Sequence, residues 1–308
     1  FAQYGATSQV VADGPTGFEK SLKWTTTSSG TIPATGEVLI RQVVEGYNIN
    51  QVDYGSSGAK ELTLSFYVKS SIAGNYGLTA QYTDSGGTNR YNLRSYTINS
   101  ANTWELKTIL IPANTANAFQ QKTNGAGLRL NWDLGEGTSY SGSVTGNWQT
   151  TYVNGLTGGV KIADNNGATW QITGVQLEVG DTATDFEHRS YGDELAKCQR
   201  YFHSVTVGAD NSPVAVGAYY TATSVYATVF FPVTMRTNPS IISSNTSGHF
   251  HIFRNGNVDA IDGWAGLQAA GLSQSTFYIS SGPNSTTGSA CWIETNSSDA
   301  KTQFNAEL

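Results

Sequence analysis

Two carboxylate pairs, one histidine pair and one polar trio are the residues of this 308-residue chain whose types and spacing suit chemistry. Hydrolysis of a polysaccharide needs two carboxyl groups facing each other across a groove. Asp133 with Glu136, or Asp259 with Asp262, could be proposed. Asp133 ends an alternating apolar stretch and enters a glycine turn, and Asp259 and Asp262 fall in a loop, so the plainer reading is solvated turn carboxylates. The sequence holds no G-x-S-x-G, H-E-x-x-H, C-x-x-C or phosphate-cradling glycine loop, and GLSQS at residues 271–275 lacks the last glycine of a nucleophile elbow. No catalytic residue and no cofactor are therefore assigned, and the chain is expected not to be an enzyme.

In GHFHIF, His249 and His251 are two residues apart, so on a strand both imidazoles emerge on one side while Phe250 and Ile252 pack on the other. Three such pairs on a three-fold axis would offer six nitrogens to one transition metal. A polar strand face with two ordinary histidines is the preferred reading, and no metal is assigned. Weak glycan binding asks for an aromatic face and planar hydrogen-bonding groups. Tyr67, Arg129 and Asn131 sit in strand phases opposite the apolar residues beside them. If their strands share a sheet, the trio lines its outer surface, near Trp148 of a long loop. A solvated sheet face or a subunit contact would show the same pattern. Trp264, between Gly263 and Gly266, is placed either to stack on a sugar or to lock its loop. Trp132 shares the phase of the core leucines; Trp24, Trp104 and Trp170 are likewise read as core.

The elements that must hold these residues are strands. Leu62, Leu64, Phe66 and Val68 alternate with polar partners, as do Leu128, Leu130, Trp132 and Leu134. Further strands are expected over residues 22–27, 38–44, 76–82, 90–98 and 104–111, with a hairpin turn at 84–87 and a long loop over 135–159. The stretch 170–202 organises the rest. Trp170 and Ile172 alternate in one phase and Val175, Leu177 and Val179 in the other, so Gly174 is expected to be a bulge. A turn at Gly180 and Asp181 follows, then a helix capped by Ser190 with Asp193 as in a capping box. Its packed face is expected to be Leu195, Cys198 and Phe202. Beyond it, Val225, Ala227, Val229, Phe231 and Val233 share a strand face, and the pairs Phe250/Ile252, Phe277/Ile279 and Cys291/Ile293 continue the pattern. The fold class is thus all-β: a sandwich over residues 1–190, a short helical linker over 191–203, and a second, smaller β-domain over 204–308.

Only 13% of residues are charged, about half the usual ~25%, while 34 are glycine and 11% aromatic. That is the profile of a turn-rich β-protein with a neutral hydrophilic surface. A net charge of −6 with no basic run speaks against nucleic acid, and no apolar run reaches the ~20 residues of a membrane span. Cys198 and Cys291 are too few for a disulfide framework and are expected to be reduced. The chain starts at Phe1 and its methionine is Met235, as in a processed chain or a piece of a longer one.

The 170–202 stretch, WQITGVQLEVGDTATDFEHRSYGDELAKCQRYF, resembles a segment of virion structural proteins of tailed bacteriophages, the tail-fibre or minor structural proteins. EGYNI (45–49), LTLSFYVKSSIAGNYG (62–77), ANTWELKTILIP (101–112), GLRLNWDLGEGTSYSG (127–142) and FPVTMRTNP (231–239) share the family look. Ser190 departs from it, since proline is expected before the tyrosine. The resemblance implies that the first domain is a jelly-roll like that of carbohydrate-binding modules. It further implies a virion location, contacts with other virion proteins and a host surface glycan, and a homotrimer whose second domain is tip or trimerisation unit. The expected role is host attachment by weak multivalent binding. A decoration protein contacting only virion proteins, and a capsule depolymerase, are the alternatives. Asn245, Asn284 and Asn296 lie in glycosylation-type triplets, which assembly in a bacterial cytoplasm would leave unmodified.

Overall fold

The computed structural model describes residues 5–244, 246, 248–280 and 282–308; Asn245 lies outside the described residues. The chain forms two compact units, Phe1–Glu187 and His188–Leu308.

Unit 1 contains β1 (Gly5–Val11), β2 (Ser21–Ser28), β3 (Glu37–Glu45), the one-turn helix α1 (Gly46–Ile49), β4 (Leu62–Ser70) and β5 (Gly74–Thr83). It continues with β6 (Asn89–Ile98), β7 (Glu105–Ile111), β8 (Ala126–Glu136), the two-residue bridges β9 (Ser141–Gly142) and β10 (Gly155–Leu156), and β11 (Thr169–Val179). A five-stranded sheet, β1-β2-β11-β4-β7, faces a four-stranded one, β3-β8-β5-β6, in a jelly-roll β-sandwich. Strict alternation makes this possible, because each strand offers one apolar edge to the space between the sheets. Leu62, Leu64, Phe66 and Val68 of β4 meet Leu128, Leu130, Trp132 and Leu134 of β8, all at most 1% exposed. Phe66 stands edge-on to Trp132 and Tyr96, with ring centroids 5.6 and 5.3 Å away. Trp170 is fully buried and donates through Nε1 to Tyr96 Oη at 3.2 Å.

The bulge falls at Gly174. The β11–β4 register slips between Thr173 and Gln176, and Gly174 adopts φ +59°. A Cβ there would also lie 2.7 Å from Phe18 Cζ. Gly174→Ala is expected to cost about 1–2 kcal/mol through the left-handed backbone and the displaced ring, read as a lower urea midpoint at unchanged slope.

Unit 2 opens with α2 (Tyr191–Gln199), followed by β12 (Phe202–Ser204), β13 (Pro213–Tyr219), β14 (Val225–Phe230), β15 (Ser240–Ser243) and β16 (Phe250–Arg254). Then come β17 (Asn257–Ile261), β18 (Gly266–Ala270), β19 (Gln274–Ile279), β20 (Ala290–Thr295) and β21 (Thr302–Asn305). Seven strands form the sheet β17-β16-β20-β13-β14-β19-β18, and three form β12-β21-β15. Phe250, Ile252, Phe277, Ile293 and Phe304 lie in their shared core.

Several expectations give way here. Ser190 caps α2 as foreseen, its Oγ accepting from Asp193 N at 3.2 Å and donating to Asp193 Oδ2 at 2.7 Å. The predicted packed face does not form: Leu195 is 40% exposed and Cys198 is exposed. Ala196, Gln199 and Arg200 are the covered side instead, because capping chemistry sets where a helix starts but not which stripe meets a neighbour. Trp104 is not core either. It is half-buried, donates to Asp13 Oδ1 at 3.3 Å and carries Lys69 Nζ 5.0 Å over its ring. The strand expected to reach Val233 stops at Phe230, before Pro232.

Candidate functional site

The outward face of the β3-β8-β5-β6 sheet carries Arg41, Arg129, Asn131, Gln81 and Thr79. Strand pairing sets its grid. One row runs Val43, Arg129, Gln81, Tyr91; the next runs Arg41, Asn131, Thr79, Leu93. A strap of residues 137–161 crosses this face. It is fastened by Val153 packing with Tyr91 and Leu93, with Tyr152 and Leu156 against them. Asn154 Oδ1 accepts from Asn131 Nδ2 at 3.0 Å, and Leu156 N donates to Asp133 Oδ2 at 3.1 Å.

Under the strap lie three carboxyl groups. Asp133 is 3% and Glu136 1% exposed, which overturns the expectation of solvated turn carboxylates. A bulge opposite Val38 and Leu39 carries the end of β8 round so that Glu136 pairs with Glu37. Burial pushes the Asp133 carboxyl up to about 7, against the pull of the Leu156 and Gly135 amides. Burial, then the neighbouring Asp133 and Glu37 charges, push Glu136 up to about 9. Both Glu136 oxygens lack a hydrogen-bond partner among the described residues. Glu37 accepts from Tyr152 Oη and from Asn154 Nδ2. With the strap in place the two groups are sealed from polymer, so they are not arranged as a hydrolytic pair.

The predicted trio is divided between the sheets. Tyr67 is on β4, whereas Arg129 and Asn131 are on β8 of the opposite sheet. Phe18 covers the Tyr67 ring at 5.4 Å, and Phe186 packs on Phe18 at 5.0 Å. Asn131 is fully buried, joined to the strap and accepting from Arg41 Nε at 2.7 Å. Tyr67 and Arg129 each reach solvent in part, on opposite sheets. Trp148 is a clamp rather than a platform: its Nε1 donates to Pro112 O at 2.9 Å, and its ring stands edge-on to Tyr82 and Tyr54. Trp264 is 5% exposed, 4.4 Å from the Phe277 ring, with Nε1 donating to Thr302 Oγ1 at 2.8 Å. It locks its loop from beneath.

In unit 2, Phe250 and Ile252 are fully buried, but only His251 lies in β16; His249 precedes the strand, its N–H donating to Thr246 O at 3.3 Å, so the two histidines do not share a strand face as expected. Nδ1 of His249 is buried without a hydrogen-bond partner among the described residues, and His251 lies opposite Glu294. Among the described residues no group of three or more His, Cys, Asp or Glu side chains could hold a metal. Asp259 sits in β17, not in a loop, and is a structural anchor: it accepts Tyr219 Oη at 2.6 Å and both Arg254 Nε and Nη2 at 2.9 Å. Asp262 Oδ1 accepts from Gly248 N at 3.0 Å.

The outward face of the seven-stranded sheet carries what sequence reasoning did not assemble. Val258, Phe253, Trp292 and Val216 lie directly opposite one another across four strands. Trp292 is 56% and Val216 74% exposed, and the Phe253 and Trp292 rings are 5.3 Å apart. A groove of about 930 Å³ runs along this row, its polar edge formed by Arg254, Asn255 and Asn257. The available signal was the outward phase of Trp292 beside Cys291 and Ile293.

No protein-family model matches the chain, and no curated protein matches it. Among solved structures it is similar to the CBM22-1 xylan-binding domain from Paenibacillus barcinonensis Xyn10C. The identity is 14%, over 58% of this chain and 84% of that one, with a TM-score of 0.31. The C-terminal family 22 carbohydrate-binding module of Clostridium thermocellum Xyn10B gives 10%, 60%, 89% and 0.32 for the same quantities. The enzymatically active domain of bacteriophage CBA120 tailspike protein 4 gives 11%, 58%, 19% and 0.30. No residue role passes from any of them to this chain.

Proposed function

We propose that this chain is a non-enzymatic virion structural protein of a tailed bacteriophage that takes part in host attachment by binding surface glycans weakly and in many copies. The observation that carries the reading is the open groove of unit 2, where the exposed Trp292 ring and the half-buried Phe253 ring lie beside Asn255 and Asn257. A sugar ring stacks its C–H face on such a surface while amides bond its hydroxyls. Contacts of this kind are individually weak and sum when many sites engage together. The phage assignment is supported by the sequence segments quoted above.

Trp292→Ala is expected to weaken binding to bacterial surface glycans about tenfold on a glycan array, the size of one lost stacking contact, at unchanged melting temperature. Retention on no glycan, or a steady release of reducing ends from a bacterial polymer, would overturn the proposal. A second reading follows from Val216, Trp292 and Phe230, which are 56–74% exposed on the same face: this surface is the contact between copies in a homotrimer. Native mass spectrometry showing a monodisperse monomer at micromolar concentration would count against it.

A further inference from the structure

We infer that unit 1 carries a second, separate site, at the rim of the strap, where Arg41 and Arg129 bind the carboxylate or phosphate group of an acidic glycan. The inference rests on the surface-glycan reading for the nature of the ligand, but not on the unit 2 groove.

Arg41 and Arg129 project from neighbouring strands on one sheet face, next to Gln81 and Tyr91 in the pairing grid. Asn131 Oδ1 accepts the Arg41 Nε hydrogen at 2.7 Å, which fixes the guanidinium and leaves its outer edge free to act as a fork. Arg129 is half-buried, and its guanidinium makes no hydrogen bond or ion pair among the described residues. Burial lowers its pKa, the Arg41 charge lowers it further, and the nearby Tyr91 hydroxyl opposes both. The Glu37 carboxylate is taken by Tyr152 Oη and Asn154 Nδ2 of the strap. Elsewhere in the unit, basic side chains facing an acid close with it: Arg90 on Asp84 at 2.7 Å, Lys107 on Glu105 at 2.6 Å. Two like charges held side by side on a chain of net charge −6 are costly unless an anion sits between them. Planar, paired guanidinium donors match a carboxylate or phosphate.

The test is isothermal titration of the full chain with trigalacturonate, inorganic phosphate and neutral cellohexaose, each at 50 and 500 mM NaCl. Trigalacturonate or phosphate is expected to bind the wild-type chain at low salt and to weaken sharply at high salt. Arg129→Met is expected to weaken that binding about tenfold or more, the loss of one charge-assisted contact, with an unchanged melting temperature; the exposed Arg41→Gln provides a second variant. Trp292→Ala leaves the acidic titration intact, so failure of the groove is seen separately in the neutral arm. Binding of trigalacturonate marks a carboxylated sugar as the source, and binding of phosphate alone marks a phosphorylated one. The site is overturned if neither anion binds the wild-type chain at 50 mM NaCl, or if both arginine variants titrate as wild type does.

Discussion

Unit 1 is expected to lose stability steadily as pH rises from 5 to 9, and Glu136→Gln is expected to flatten that slope. The folded state keeps Asp133 protonated up to about 7 and Glu136 up to about 9, whereas the unfolded chain releases both protons near 4. Between those limits the folded state binds more protons, so the free energy of unfolding falls as pH rises. The stabilising contribution is full below pH 4 and gone above about 9. Each unit of displacement is worth about 1.4 kcal/mol. The pair is coupled, and release of the strap caps the penalty, so about 3 kcal/mol is expected between pH 5 and 9. For a domain of this size that is a fall of about 6–12 °C in the calorimetric transition of unit 1. Glu136→Gln removes the group that must either hold its proton or bury a charge, and at pH 9 should melt above the wild-type protein. A transition that does not move between pH 5 and 9 would rule the explanation out.

The largest single-residue effect is expected at Trp132. Trp132→Ala empties the centre of the sandwich, where the indole is 1% exposed and edge-on to Phe66, and should cost about 3–5 kcal/mol in a urea titration. Trp132→Phe should cost far less, about 1 kcal/mol. The indole Nε1 has no hydrogen-bond partner among the described residues, so the smaller ring removes a buried orphan donor as it gives up volume. Trp104→Ala, on the surface against Lys69 and Asp13, should stay within about 1 kcal/mol. Equal losses at the two tryptophans would contradict the packing described here.

Trp132 was legible because a period of two assigns a residue to a face, and the Gly174 bulge because the period changes phase there. The same arithmetic misled for Tyr67. Alternation says which side of a strand a residue takes, not which of two sheets the strand joins, and β4 and β8 lie in opposite sheets. Asp133 and Glu136 were misread because a distant segment decides their exposure: nothing local announces that residues 137–161 fold back over them. Trp264 illustrates the remaining gap. Flanking glycines allow a loop either to present a ring or to tuck it under, and here a Cβ on Gly263 would fall 1.8 Å from Ser244 O, so the glycine serves close approach of two backbones and the ring is tucked. The helix face failed for a similar reason, since heptad-like spacing carries no information about the partner surface.

The strap has its own small apolar cluster, of Tyr91, Leu93 and Val153, distinct from the core between the sheets. Substitutions on its exposed residues, away from Trp148 and Val160 that pack on the inter-sheet core, leave that packing untouched. The exposed residues of this one crossing can therefore change while the sandwich beneath it goes on folding as before.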